Sequence, residues 1–146
     1  VPKKKLFPPS YHYRSKFTKD VISGLQDVVK NSKIFCGNLK DKVVLDVGCN
    51  DGSLLDLFKI KGCKTVGIEP TGAALESKHP TINEYFDKRS AYQVLIPTGK
   101  TDLIIFRNVF ANIDTGSAIP IEYASCNSHL SAKPDSTTLL ATYLAI

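Results

Sequence analysis

The stretch VVLDVGCNDGSLL, Val43 to Leu55, limits what this chain can fold into more than any other. A β-branched run ends at an acid, Asp46, and glycines follow at Gly48 and Gly52. A short apolar run without polar alternation suits a strand buried on both faces, as in a parallel sheet. Gly48 can take a backbone conformation closed to other residues, and with no side chain it lets a ligand approach the main chain. Gly52 permits close contact where a helix begins, and the free amides of that helix end point toward a ligand. In sheets of this kind ligands bind outside the carboxyl ends of the strands.

The rest of the chain repeats the same unit. Residues 1–16 hold prolines and aromatic residues and read as an extended lead-in, followed by one domain over residues 17–146. Phe17, Val21, Ile22, Leu25, Val28 and Val29 are spaced for a helix from Phe17 to Ile34, which Cys36-Gly37-Asn38 ends. Strands are predicted at Lys42–Val47, Thr65–Glu69, Thr81–Phe86, Asp102–Phe106 and Thr137–Leu144. Helices are predicted at Ser53–Lys61, Ala73–Lys78 and Lys88–Leu95, and Ile119–Leu130 is an ambiguous helix. Lys133-Pro134-Asp135 makes a turn. Strands alternating with helices predict an α/β, doubly wound, Rossmann-like parallel sheet.

Composition narrows the setting. With 42% apolar and 23% charged residues, the 146-residue chain reads as a soluble domain with one core. No apolar run approaches the roughly 20 residues of a membrane span, and the start VPKKKLFPPS is not a signal peptide, so the expected compartment is the cytoplasm. The four cysteines form no CxxC pair, which argues against a metal site, and Cys49 suits packing inside the turn. The net charge of +5 owes much to Lys3, Lys4 and Lys5, a solvated tail or a site for an anionic partner. No aromatic RNA-binding motif or helix-turn-helix is present, which argues against nucleic acid. Of the three histidines, His79 reads as surface, His129 as structural, and His12 as the one near the site.

The glycine spacing decides between ligands. A dinucleotide turn needs GxGxxG, whereas Gly48 and Gly52 give GxxxG, so a nicotinamide-dependent oxidoreductase is set aside as a third reading. Asp51 in the turn would repel a pyrophosphate at close range. A P-loop would need Gly-Lys-Ser/Thr. The acid before the first glycine, Asp46, suits a ligand carrying an ammonium group.

Asp46-Val47-Gly48-Cys49-Asn50-Asp51-Gly52 resembles motif I of the S-adenosylmethionine-dependent methyltransferases, acid-x-Gly-x-x-x-Gly. The resemblance implies an S-adenosylmethionine cofactor whose methionine part packs on the turn. Glu69, about 20 residues on at the end of the second strand, then accepts hydrogen bonds from ribose hydroxyls. The cofactor-binding residues implied are Asp46, Gly48, Asn50, Gly52, Glu69, Pro70 and Asn108.

The segment Leu6 to Ser15, with Phe7, Tyr11, Tyr13, Arg14 and Ser15, resembles the lead-in of C-methyltransferases acting on nucleotide-linked deoxysugars. The runs GCNDGSLL, Glu69-Pro70 and DLIIFRNVFANID resemble further segments of the same enzymes in the same order. A small-molecule acceptor is therefore expected, with Tyr13, His12 and Asn112 as the catalytic candidates. The family carries a histidine where this chain has Asn112, and an amide cannot take a proton as a general base does. The family also continues with an Glu-His segment and further strands, so the sheet is expected to lack its last strands. These departures give an alternative reading, a non-catalytic cofactor-binding module or truncated remnant. They also leave TTLLATYL as an exposed edge, which predicts a homodimer through that strand.

Overall fold

The structure is a computed structural model that describes residues 19–99, 101–107, 131–132 and 138–142. Its elements run α1 (Lys19–Cys36), β1 (Val43–Val47), α2 (Ser53–Ile60), β2 (Lys64–Ile68), a 3₁₀ turn (Gly72–Glu76), β3 (Thr81–Ile82), α3 (Lys88–Thr98), β4 (Leu103–Arg107), β5 (Ser131–Ala132) and β6 (Thr138–Thr142). They build a sheet of order β3-β2-β1-β4-β6-β5. β1 is buried at all five positions and pairs in parallel with β2 and β4, and β3 extends the parallel set beside β2.

Alternate residues of each strand face opposite sides of the sheet. On one side Val44, Leu103 and Ile105 pack with Leu25 and Val28 of α1 and Leu54 and Phe58 of α2. On the other, Leu45, Val66, Ile68 and Ile104 pack with Val94 of α3. Phe86 meets Phe106 edge to face there, with ring centroids 5.5 Å apart. Helices thus cover both faces, which is why the strands read as continuous apolar runs. Each fully buried large side chain contributes roughly 1.5–3 kcal/mol, and Phe58, Leu54 and Leu55 of α2 are all at 0% exposure.

The doubly wound parallel sheet expected from the sequence is present in β1 to β4. The last strand departs from it: β6 runs antiparallel to β4, from Leu103 opposite Thr142 to Arg107 opposite Thr138. β5 pairs antiparallel with β6, placing Ser131 opposite Leu140 and Ala132 opposite Leu139. β5 ends at Ala132 and β6 starts at Thr138, too close in sequence for the crossover of a dozen residues or more that a parallel pair needs. The expectation of a bare outer edge on this strand is corrected at Leu139 and Leu140, which β5 covers.

Smaller differences have local causes. The predicted helix Ala73–Lys78 is a single 3₁₀ turn, started by Thr71 Oγ1 accepting from the Ala73 amide. β3 stops after Ile82 rather than at Phe86, because Asn83 turns its amide onto the carbonyls of Glu69 and Thr71. Asp87 and Ser90 then form a reciprocal capping box that starts α3. That helix passes Pro97, and Thr98 Oγ1 and the Gly99 amide bond the carbonyls of Val94 and Leu95 to close it. The segment Ile119–Leu130 lies outside the described residues.

Candidate functional site

β1 delivers the chain into the glycine turn at the carboxyl end of the sheet. Gly48, Asn50 and Gly52 have φ of 78°, 54° and 81°, so every second residue of the turn is left-handed. Asparagine tolerates that region better than most residues, which suits it to the middle position. The amides of Gly48 and Cys49 both donate to the Ile68 carbonyl, at 2.8 and 3.3 Å, which moors the turn to the end of β2. Asp51 Oδ1 accepts from the Ser53 hydroxyl at 2.6 Å and from the Ser53 amide at 3.2 Å, starting α2.

Glu69 follows β2 directly and is 5% exposed. Its Oε2 accepts the Asn50 amide and its Oε1 the Thr71 amide, both at 2.9 Å. The acid therefore joins the glycine turn to the loop after β2. A carboxylate offers about four acceptor positions, so about two remain for a ligand's hydroxyls. Asn83 Nδ2 donates to the Glu69 carbonyl at 2.7 Å and to the Thr71 carbonyl at 3.0 Å, fixing the loop that carries the acid. Pro70 is half-buried beside it.

Asp46 sits within β1 at 0% exposure, in register with Gly67 and Ile105. Both acids act on Cys49. Burial first, then the charges of Asp46 and Glu69, push its thiol far above its ordinary value. Cys49 is 1% exposed, and a Cβ at Gly67 would overlap its sulfur. The cysteine thus packs as the sequence predicts, and the turn has a negative underside that suits a cation and opposes a pyrophosphate.

One histidine reading is corrected. His79 does not lie on the surface: its side chain is 6% exposed, with Nδ1 2.8 Å from Thr65 Oγ1 and Nε2 3.0 Å from Asp56 Oδ1. A histidine before a proline gives no sign of such enclosure. Thr71, Asn83 and Ser77 are further site residues the sequence did not single out. Gly67, inside a strand pattern, was the available signal for a close approach there.

Asn108, Tyr13, His12 and Asn112, together with Tyr11 and His129, lie outside the described residues. Among the described residues no group of three or more histidine, cysteine or acidic side chains could hold a metal ion. No helix among them is long and apolar enough to cross a membrane.

Strand order, helices on both faces and a glycine turn after β1 define a Rossmann-like α/β domain of the class I methyltransferase type. The chain belongs to the family described as methyltransferase domain, which matches residues 13–145. The fold is similar to that of the PH0226 protein from Pyrococcus horikoshii OT3, with TM-score 0.52 and 11% identity over 96% of both chains. Magnesium protoporphyrin IX methyltransferase from Synechocystis PCC 6803 with bound SAM gives TM-score 0.43 and 13% identity, over 97% of this chain and 89% of that one. A putative RNA methyltransferase from Pyrococcus horikoshii gives 0.41 and 15%, over 73% and 72%. No relative among curated protein sequences matches.

Proposed function

We propose that this methyltransferase domain uses S-adenosylmethionine and transfers its methyl group to a small molecule, in the manner of the nucleotide-sugar C-methyltransferases its segments resemble. The observation that carries the cofactor reading is the bond from the Asn50 amide to Glu69, 2.9 Å long. It makes the left-handed turn and the strand-end acid one site. The donor set fits the cofactor: spare acceptors on Glu69 for ribose hydroxyls, a left-handed Gly48 with no side chain to bar approach, and two acids whose field favours an ammonium and a sulfonium.

When bound, the cofactor supplies an electrophilic methyl group. The chain's part is to hold and orient it: Glu69 fixes the sugar, and the turn from Gly48 to Gly52 seats the amino-acid end. Orientation for in-line attack supplies much of the rate in such transfers. Asn112 cannot accept the acceptor's proton, so the acceptor carries an acidic proton of its own or is deprotonated by another group, with Tyr13 and His12 as candidates. The nucleotide-sugar acceptor is supported by the resemblance of Leu6–Ser15 and of the segment from Asp102.

Calorimetric titration with S-adenosylmethionine and S-adenosylhomocysteine tests the cofactor reading. The native chain is expected to bind both. Glu69→Gln should weaken binding about tenfold or more, because its amide group faces a backbone donor and offers fewer acceptors. Absence of binding by the native chain would overturn the reading.

A further inference from the structure

Beside the glycine turn lies a polar network separate from the bonds that hold Glu69. Gly52 packs against the loop before β3: a Cβ added to it would stand 2.7 Å from Ser77 Oγ and 3.1 Å from His79 Cδ2. The Gly52 carbonyl accepts the Asp56 amide at 2.9 Å, the first bond of α2. Asp56 then reaches His79 through its side chain, at 3.0 Å, and the far side of the imidazole meets Thr65 of β2 at 2.8 Å. The loop is braced in turn, since Ser77 Oγ accepts the His79 amide at 3.2 Å and the Thr81 hydroxyl at 3.0 Å.

The imidazole therefore links three parts of the fold: α2, β2 and the loop that seats Gly52. A neutral ring can donate from Nε2 to the carboxylate and accept at Nδ1 from the threonine hydroxyl, and a charged ring donates to both. Both links hold in either state. The ring is enclosed while Asp56 is about half exposed, at 6% and 54%. Such a bridge is buried where it meets the turn and open where it meets the helix.

We propose that His79 is a positioning residue for the cofactor turn: by tying Asp56 to Thr65 it holds the loop against Gly52 and keeps the turn in its ligand-receiving shape. The proposal rests on the cofactor reading above. It assigns no contact between His79 and the cofactor. Its effect passes through Gly52 and the first bond of α2.

The test compares native chain, His79→Ala, Asp56→Ala and the double variant. S-adenosylhomocysteine affinity is read by calorimetry, and amide hydrogen exchange is read without ligand. His79→Ala is expected to weaken binding about tenfold, the scale of one or two lost hydrogen bonds. It should speed exchange at Gly52 and Asp56 while the β1 and β4 amides stay protected. Asp56→Ala should weaken binding less, and the double variant no more than His79→Ala, because both remove one bridge. Native-like binding by His79→Ala would overturn the proposal and leave the cofactor reading intact. So would a loss of protection spread evenly through the sheet, which marks a general structural role. If His79→Ala does not fold, Asp56→Ala decides alone: selective exchange at the turn with weakened binding supports the bridge, and native behaviour sinks it. No binding by the native chain overturns the cofactor reading, and the proposal with it.

Discussion

Cys49 and Gly67 show how closely single residues are fitted at this site. The thiol fills the space that a side chain at position 67 would take. Gly67→Ala should therefore destabilise the chain by about 1–3 kcal/mol, the usual scale of overpacking. Cys49→Ala in the same chain should recover part of that loss, and urea unfolding of the single and double variants measures the coupling. The glycine turn after β1, with Gly48 and Gly52 in the left-handed region, was readable in the sequence because it is fixed within one short segment. The left-handed conformations of both glycines follow from their residue type. The partners of Glu69 were not readable. Asn50 becomes its donor only when the turn and the loop after β2 meet, Thr71 donates from two residues on in the same loop, and Asn83 reaches that loop from further along the chain.

At the scale of elements, the start of β1 is held by a residue just before β4. Asp102 Oδ2 accepts the Val43 amide at 2.8 Å, and the Asp102 amide returns a bond of 2.8 Å to the Val43 carbonyl. Lys42 adds an ion pair at 3.7 Å, partly exposed and of small weight. Asp102→Ala removes the side-chain acceptor of a buried amide and should lower stability by about 1–3 kcal/mol. Asp102→Asn, which keeps an acceptor, should cost less, and a denaturant series on the two variants separates them. Helix and strand types were legible from apolar spacing, and α2 and β1 to β4 fall within a residue or two of their predicted starts. Their ends were less so. α3 outlasts the sequence reading because Thr98 and Gly99 bond the carbonyls of Val94 and Leu95 and close its last turn beyond Pro97, and β3 is cut short by a side-chain bond at Asn83.

For the molecule as a whole, burial of thiols ties stability to alkaline pH. Cys63 donates to the Leu39 carbonyl at 3.2 Å. Burial first, then Cys36 and Asp102, push its thiol from 9.0 up to about 11. The folded state keeps this proton after the unfolded chain has lost it. The resulting stability is whole below pH 9 and is lost as pH rises toward about 11. Cys49 is shifted in the same direction. Urea midpoints should fall over that window, and Cys63→Ala should fall less steeply than the native chain. The doubly wound parallel sheet and its two-sided core were foreseeable at this scale, because buried parallel strands must be apolar throughout and crossovers need helices. The direction of β6 was not, since an apolar β-branched run is the same in either orientation. Sequence alone determined the strand–turn–helix unit, its left-handed glycines and the acid that follows β2, all set by local backbone freedom and apolar patterning. Tertiary structure alone decided the antiparallel return of β6, the Asn50 amide that holds Glu69 and the enclosure of His79. Each of these depends on segments distant in the chain meeting across the sheet, where pairing and exclusion of water, rather than residue type, choose the partner.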